Sequence, residues 1–320
     1  MVTLEDIKNA RGNIARFVHR TPLVTSTSLS SLTGKKLYFK AECLQKTGSF
    51  KARGAANKLT SLVGQNIAGV LAVSSGNHGQ ATAYVAGRLG IHAVIMVPEG
   101  ASEAKINAAR SYGAEVIVGG DFSNVEEVTI RALNLAQERN LAPIHPFDDP
   151  LIIAGQGTIG LEILEDLPDV DVAFVPVGGG GLLSGIATAL KLSKPSVKVF
   201  GVCAKDACGL YQSFREKKLV TVRNMPQTIA DGLRSASTGT LTLQHALEYV
   251  DDVVAVSDDE IVNAMRLLWT RLKLLVEPAG AASFAAVNSG KLPIPDNFKV
   301  VCVLSGGNVD FGKALRYLAA

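Results

Sequence analysis

The stretch Val175-Pro-Val-Gly-Gly-Gly-Gly-Leu-Leu-Ser-Gly185 places four consecutive glycines between two apolar segments. The run Val172–Val177 before them is typical of a buried strand, and Leu182–Leu190 after them of a helix. Glycines at such a turn leave backbone N–H groups uncovered, and the N-terminus of the helix adds partial positive charge. The stretch therefore predicts an anion site, best suited to phosphate, at a strand-to-helix turn.

Glycine is concentrated around this stretch. The chain of 320 residues contains 31 glycines, and eight of them fall between Gly155 and Gly185. The net charge is +3, with 47% hydrophobic and 19% charged residues, which excludes a disordered or supercharged chain and gives no sign of a nucleic-acid-binding stripe. The length predicts about two domains. A globular chain that concentrates glycine in this way is expected to bring its backbone close to a bound group.

The sequence predicts a cytoplasmic protein without a membrane span. Met1 is followed by Val-Thr-Leu-Glu-Asp, so we expect no secretory signal. The segment Val172–Leu190 carries no charge over 19 residues, but its run of glycines argues against a spanning helix. The cysteines show no CxxC spacing and are expected to be reduced and buried, with no disulfide or zinc role. They are Cys43, Cys203, Cys208 and Cys302.

Short apolar runs alternate with helical segments along the chain, which predicts an α/β fold with parallel sheets and helices on both faces. The predicted strands are Lys36–Glu42, Gly69–Val73, His92–Val97, Glu115–Gly119, Val172–Val177, Val197–Val202, Val253–Val256 and Val300–Leu304. The clearest helix is Asp258–Leu275, because Ser257 and Glu260 have the spacing of a capping box. Thr3 and Asp6 predict the same cap for the first helix.

A cluster of prolines marks the best domain boundary. Pro143, Pro146 and Pro150 surround two aspartates at this point. We expect residues 69–146 to form a small domain and residues 1–68 together with 147–320 to form a large one. Ligands of open α/β sheets bind at the carboxyl ends of strands, often between domains.

A familiar nucleotide motif matches in form and is rejected. Gly155-Gln-Gly-Thr-Ile-Gly160 satisfies G-x-G-x-x-G, but only Leu151–Ala154 precedes it, and the next strand ends without an acidic residue for a ribose. These glycines are expected to serve packing.

Three further stretches place small polar residues where a ligand can be bound. Leu71–Gly79 contains Ser-Ser-Gly-Asn-His-Gly at a strand-to-helix turn, whose N–H groups suit a carboxylate. Lys46–Gly54 contains Lys51 after an aromatic residue and among small ones, where burial would lower the pKa of the amine toward a nucleophile's range. Leu304–Asp310 is another turn after an apolar strand, with a hydroxyl at Ser305.

Taken together, these stretches resemble the fold-type II pyridoxal-phosphate enzymes, in particular the serine/threonine dehydratase and serine racemase branch. The resemblance runs essentially end to end, from His19-Arg-Thr-Pro-Leu23 to the last strand, through TGSFKARGA, SSGNHGQ, AGQGTIGLE, VGGGGLLSG and LSGGNVD. It implies two open, twisted, mostly parallel sheets flanked by helices, with the cofactor in the cleft between a large and a small domain. It also implies a homodimer.

The resemblance implies roles for the residues around the cofactor. Lys51 matches the lysine that forms the Schiff base with the cofactor aldehyde, and Phe50 the residue packed on the pyridine ring. Asn77 matches the partner of the phenolic oxygen, and Ser305 the hydroxyl at the pyridine nitrogen. A serine there need not keep that nitrogen protonated, which suits prompt loss of a β-hydroxyl.

The phosphate and the substrate carboxylate are assigned in the same way. The residues matching the phosphate loop are Gly178, Gly179, Gly180, Gly181 and Leu182. The residues matching the turn on the substrate carboxylate are Ser74, Ser75, Gly76, Asn77 and His78. Ser75 also matches the second acid–base of racemases, on the cofactor face opposite Lys51.

The predicted activity is dehydration of a β-hydroxy amino acid such as L-threonine or L-serine, which gives a 2-oxo acid and ammonia. Serine racemisation, alone or as a second activity, stays open because Ser75 is present, as does dehydration of hydroxyaspartate or phenylserine. Phe147 resembles the dehydratases, since racemases of the branch carry a polar residue there. A β-replacement synthase or a non-catalytic binding protein on the same fold are the other classes considered. The latter is expected to lack Lys51.

No metal site is predicted. Metal-dependent racemases of the branch carry a carboxylate and an aspartate where this chain has Cys203 and Gly209, and Asp206 is out of register. Magnesium and calcium require oxygen-rich ligation, so neither thiol nor glycine can replace these ligands.

Overall fold

The computed structural model describes residues 1–74, 76–99, 103–119, 125–205, 207–222 and 227–319. The strands are β1 (Leu23–Thr25), β2 (Lys36–Lys40), β3 (Gly69–Val73), β4 (Ala93–Val97), β5 (Glu115–Val118), β6 (Leu141–Pro143), β7 (Val172–Pro176), β8 (Lys198–Ala204), β9 (Asp252–Val256) and β10 (Lys299–Val303). The helices are α1 (Leu4–Ile14), α2 (Thr27–Thr33), α3 (Lys51–Thr60), α4 (Asn77–Leu89), α5 (Glu103–Ser111), α6 (Val125–Glu138), α7 (Pro150–Asp166), α8 (Gly181–Ser193), α9 (Gly209–Glu216), α10 (Thr240–Tyr249), α11 (Asp258–Leu267), α12 (Pro278–Asn288) and α13 (Phe311–Ala319).

Two sheets are formed by these strands. The larger has the order β1-β2-β10-β7-β8-β9, in which only the edge pair β1–β2 is antiparallel. The smaller has the order β5-β4-β3-β6 and is parallel throughout. Every residue of β4 and of β7 is buried, as expected for parallel strands covered by helices on both faces. The α/β class with two mostly parallel sheets is confirmed.

Glycines allow three helices to pack at backbone contact. A Cβ on Gly155 of α7 would lie 2.7 Å from the Cα of Gly54 in α3, and a Cβ on Gly185 of α8 would lie 2.5 Å from the backbone nitrogen of Gly157 in α7. Side chains at these positions would force the helices apart. The G-x-G-x-x-G stretch lies inside α7, so its glycines serve helix packing and not a nucleotide turn.

Most predicted elements are confirmed to within one or two residues, and both capping boxes are present. The uncharged segment Val172–Leu190 divides into β7 and the first part of α8. Two strands of only three residues, β1 and β6, were not predicted. The predicted helix Asp258–Leu275 is too long: α11 ends at Leu267, and a π-helical turn follows over Leu268–Leu272.

The strands of the smaller sheet all lie within residues 69–146, and those of the larger sheet lie outside that range. The division of the chain into two domains at these boundaries stays a prediction. In the part of the chain that the structure describes, no helix is both long and apolar enough to cross a membrane. All four cysteines are buried and unpaired.

Candidate active site

The carboxyl ends of the parallel strands carry the residues that the sequence singles out. Gly178 lies just after β7 and Ser305 just after β10, and these two strands are neighbours in the larger sheet. Ser74 directly follows β3 of the smaller sheet. Because ligands of open α/β sheets bind at this end of the strands, these turns form one candidate cleft.

Lys51 is the first residue of α3, and its side chain is half-buried. Its Nζ donates a hydrogen bond to the carbonyl oxygen of Pro146 at 2.6 Å and lies 5.2 Å from the centre of the Phe50 ring. Burial lowers the pKa of Lys51 to about 8, because the charged ammonium loses solvation that the neutral amine does not need. Such an amine can act as nucleophile or base close to neutral pH.

Main-chain contacts join the start of α3 to the turn after β10. The Phe50 N–H donates to the carbonyl oxygen of Ser305 at 3.1 Å, and Ser49 forms an antiparallel bridge with Gly306. These contacts hold Lys51 and Ser305 in the same site.

The Ser305 hydroxyl is a buried polar group available to a ligand. The residue is 4% exposed, and its main chain is held by the hydrogen bond that its carbonyl oxygen accepts from the Phe50 N–H. A serine hydroxyl can donate to an acceptor nitrogen of a ligand.

The glycine loop leads into α8 without a side-chain cap. Gly180 is the N-cap residue and has a φ of 101°, a conformation that favours glycine. The hydroxyls of Thr238 and Thr242 donate to the carbonyl oxygen of Gly179, each at 3.0 Å. The threonines therefore fix the loop, and the N-terminus of α8 suits an anion.

Phe147 packs directly on this loop. A Cβ on Gly179 would lie 2.2 Å from Cδ1 of Phe147, and a Cβ on Gly181 would lie 3.0 Å from the Phe147 Cα. The preceding residue, Pro146, accepts the hydrogen bond from Lys51. Residues 146 and 147 therefore contact both the lysine and the glycine loop, so these two parts of the predicted site are brought together.

Asn77, the first residue of α4, is held by two residues from the larger-sheet part of the chain. Its Nδ2 donates to Oε1 of Glu277, and its Oδ1 accepts from Nδ2 of Asn308, both at 2.7 Å. Glu277 is buried and also lies against the turn after β10, since a Cβ on Gly306 would lie 2.4 Å from its Oε1. An asparagine amide has two N–H donors, so Asn77 can serve Glu277 and a ligand together.

The predicted substrate turn is partly described. The Ser74 Oγ accepts from the Gly76 N–H at 3.1 Å, and Gly76 is the N-cap of α4, which has no side-chain cap. Ser75 lies outside the described residues. The uncapped N-terminus of α4 is suited to a carboxylate.

The His78 side chain is bound to the backbone. Its Nε2 donates to the carbonyl oxygen of Ile144 at 2.9 Å, since a carbonyl can only accept. Burial, and then the charge of Lys51, lower the pKa of His78 to about 3. The ring is therefore neutral, and its Nε2 is occupied by the hydrogen bond to the backbone.

Comparisons with known proteins agree with this fold and site. The family model described as pyridoxal-phosphate dependent enzyme matches residues 14–306. The chain is 46% identical to the L-threonine ammonia-lyase of Thermotoga maritima, over 97% of this chain and 76% of that protein. The solved structure of T.th. threonine deaminase is 46% identical, with a TM-score of 0.89 over 97% of this chain and 99% of the other. Maize serine racemase is 39% identical, with a TM-score of 0.93 over 99% of this chain and 97% of the other.

The two sheets and the lysine-centred cleft define the molecule as a fold-type II enzyme. The chain belongs to the family of pyridoxal-phosphate dependent enzymes, so its cofactor is pyridoxal 5'-phosphate.

The residues present fit this cofactor. The loop Gly178–Gly181 is a tight cradle, because a Cβ on Gly179 would collide with Phe147 and Gly180 needs a positive φ. The Ser305 hydroxyl can donate to a pyridine nitrogen, and the Lys51 amine, whose pKa burial lowers to about 8, can react with an aldehyde.

Glu277 and Asn308 are site residues that sequence reasoning missed. Asn308 lies in the stretch Leu304–Asp310, which the sequence marks as a ligand-binding turn, so Asn308 could have been predicted as a site residue. Glu277 stands before Pro278, and this pair signals only the start of a helix. Its contact with Asn77 spans 200 residues, and no local pattern reports it.

The two positions that the family resemblance associates with metal ligands carry Cys203 and Gly209. Cys203 is fully buried, and a Cβ on Gly209 would lie 2.5 Å from the carbonyl oxygen of Ala236. No side chain fits at Gly209 without movement of that backbone. Asp206 lies outside the described residues.

The pH dependence of cofactor capture tests the environment of Lys51. The apo-enzyme is expected to bind pyridoxal phosphate faster as the pH rises through about 8, because only the neutral amine reacts and burial lowers the pKa of Lys51 to that value. Stopped-flow absorbance measures the rate, with a free lysine derivative as the control. A midpoint at the ordinary lysine pKa of about 10.4 would show that the amine is not desolvated.

Proposed function

We propose that this chain is a dehydratase, or ammonia-lyase, which converts a β-hydroxy amino acid such as L-threonine or L-serine to a 2-oxo acid and ammonia. The proposal rests on the position of the Lys51 amine, which donates a hydrogen bond to the Pro146 carbonyl oxygen at 2.6 Å and lies beside the glycine loop. The names of the threonine ammonia-lyase and threonine deaminase relatives support the reaction class.

Pyridoxal phosphate, when bound, supplies an electron sink for the electron pair left at Cα when its proton is removed. Lys51 is the base for that proton, because its lowered pKa makes the neutral amine available near neutral pH. Ser305 offers a neutral hydroxyl at the position we assign to the ring nitrogen, and a hydroxyl does not hold a proton there as a carboxylate would.

We assign the phosphate and the substrate carboxylate to the two helix N-termini that have no side-chain cap. Gly178–Gly181 and Leu182 at the start of α8 hold the phosphate, and the Ser74–His78 turn at the start of α4 holds the substrate carboxylate. Phe50 packs on the ring, and Asn77 donates to the phenolic oxygen.

The reaction balances without an oxidant or reductant. Lys51 takes the Cα proton, the Cβ–O bond breaks, and the Lys51 ammonium gives this proton to the departing hydroxyl, which leaves as water. The enamine that is released tautomerises to an imine. Water then hydrolyses the imine to the 2-oxo acid and ammonia.

Serine racemisation is the second candidate, favoured by the similarity to maize serine racemase. It requires a proton donor opposite Lys51, for which Ser75 is the sequence candidate. Phe147 favours elimination, since the family resemblance associates a phenylalanine at this position with the dehydratases, and here the ring packs against Gly179.

A substrate panel separates the two candidates. The purified holoenzyme is incubated with serine, threonine, hydroxyaspartate and phenylserine, and oxo-acid release and enantiomer composition are followed together. We expect oxo acid from at least one L-substrate, unchanged by magnesium or a chelator. Racemisation without oxo acid would overturn the proposal, and loss of activity with a chelator would overturn the metal-free site.

We further infer a cytoplasmic homodimer with a large domain (1–68 and 147–320) and a small domain (69–146). Four unpaired cysteines suit a reducing compartment. The exposed apolar side chains Leu44, Leu275, Phe311 and Leu315 suit a subunit contact. Light scattering tests the dimer, and limited proteolysis near residues 69 and 146 tests the domain boundaries.

A further inference from the structure

Beside Lys51, but pointing away from the cleft, lies a cluster of four buried charges. Lys40, Glu42 and Arg53 are fully buried, and Glu162 is 6% exposed. We call these four residues the charge cluster. The charges sum to zero, and the cluster joins the end of β2, the first turn of α3 and the middle of α7.

Arg53 is the centre of the cluster. Its guanidinium donates to both oxygens of Glu42, at 2.8 and 2.9 Å, and to both oxygens of Glu162, at 2.7 and 2.9 Å. It also donates to the Thr158 Oγ1 at 3.1 Å. Lys40 supplies the second positive charge, with its Nζ 2.6 Å from Oε2 of Glu162. The planar guanidinium of arginine can donate paired hydrogen bonds to two carboxylates, whereas the ammonium group of lysine cannot.

Stability alone does not account for such a cluster. Desolvation of buried charges largely cancels their attraction, and apolar replacements of buried ion clusters are often neutral or stabilising. A role in fixing geometry gives a physical reason for this arrangement.

The positions of Lys51 and Arg53 on α3 indicate that the cluster fixes the start of this helix. Lys51 and Arg53 are the first and third residues of α3, so at about 100° per residue they point to opposite sides of the helix. The N-cap residue Phe50 makes no side-chain cap bond, so the first turn of α3 lacks that usual anchor.

The same cluster connects Lys51 to the phosphate loop. Thr158 and Glu162 lie on α7, and α7 meets α8 at backbone contact, where a Cβ on Gly185 would lie 2.5 Å from the nitrogen of Gly157. Helix α8 begins at Gly181, in the glycine loop. The chain of contacts therefore runs from Lys51 through Arg53 and α7 to the loop.

We propose that Arg53 is a positioning residue, which fixes the Lys51 amine at a set distance from the Gly178–Gly181 loop through its bonds to Glu42, Thr158 and Glu162. The proposal rests on the proposed function only for the assignment of Lys51 and the loop to the cofactor. It adds a residue that touches neither cofactor nor substrate.

Arg53→Lys tests the proposal, because it keeps the charge and removes the fork. With Lys51 held less firmly, we expect the pH midpoint of pyridoxal-phosphate capture by the apo-enzyme to rise, since the amine gains solvent. We expect kcat to fall about tenfold to a hundredfold, as for a misplaced catalytic group, with KM changed much less. Thermal unfolding is measured alongside.

The matched control is Asp251→Asn, which breaks the partly buried ion pair of Asp251 with Lys191, 2.6 Å long, at the far end of α8. This variant is expected to lose stability and to keep the wild-type pH midpoint and kcat. If Arg53→Lys behaves like the control, with a lower melting temperature and an unchanged midpoint and kcat, the proposal is overturned.

A milder variant covers the case in which Arg53→Lys does not fold. Thr158→Val removes one acceptor of the guanidinium and leaves the charge balance intact. We expect a smaller shift of the capture midpoint in the same direction, and no shift would overturn the proposal. Because capture uses no amino acid, its outcome is independent of whether the enzyme is a dehydratase.

Discussion

The Lys51→Ala enzyme is expected to lose more than about 10⁴-fold in kcat, because one change removes both the covalent attachment point and the base. The visible absorbance that depends on a lysine-bound cofactor should also disappear. Both effects follow from the position of Nζ, which is 2.6 Å from the Pro146 carbonyl oxygen and beside the glycine loop.

Lys46→Ala is the matched control, since Lys46 is an exposed lysine at the start of a 3-10 turn that precedes α3. It should keep the absorbance and the activity. A Lys51→Ala protein that retains the absorbance after dialysis would place the cofactor lysine elsewhere and would contradict the site described here.

Gly179→Ala is expected to weaken binding of pyridoxal phosphate about tenfold to a hundredfold, which corresponds to an overpacking cost of about 1–3 kcal/mol. The added Cβ would lie 2.2 Å from Cδ1 of Phe147, so the ring or the loop must move. Equilibrium dialysis or fluorescence titration of the apo-enzyme measures the affinity.

Two further variants isolate the cause of this loss. Gly12→Ala in α1 has nothing within 4 Å of the new Cβ and should leave cofactor binding unchanged. Gly179→Ala combined with Phe147→Ala removes the colliding ring and should recover part of the affinity. An unchanged affinity in the single variant Gly179→Ala would show that the loop does not form the phosphate cradle.

The sequence predicts the turns of this site because each directly follows a buried strand. In a parallel sheet the carboxyl ends of the strands share one edge, so Gly178 and Ser305 have to lie close together once β7 and β10 pair. Lys51 was placed by its small neighbours and by the family resemblance. The short edge strand β1 (Leu23–Thr25) was missed because three residues are too few to show a period.

Contacts between distant segments could not be predicted. Glu277 and Arg53 read as ordinary charged residues, and only the fold brings one to Asn77 and the other to Glu162. For His78 the sequence favours a structural side chain over a catalytic one, and the ring is hydrogen-bonded to the Ile144 carbonyl oxygen.

For the phosphate loop, the sequence predicts the anion site but not the packing of Phe147 against it. Four consecutive glycines indicated close approach of the backbone to an anion. The structure adds that two of them, Gly179 and Gly181, are also required by the close packing of Phe147. That packing links the loop to Pro146 and so to Lys51, and a count of glycines carries no information about it.

The most direct test of the central claim is the product balance from L-threonine. The apo-enzyme, reconstituted with pyridoxal phosphate, is assayed for threonine consumed, 2-oxobutanoate formed and ammonia released. The Lys51-centred site predicts one oxo acid and one ammonia for each threonine lost, and neither product without the cofactor or with Lys51→Ala. Oxo acid formed equally well by Lys51→Ala, or threonine recovered with changed configuration and no ammonia, would contradict it.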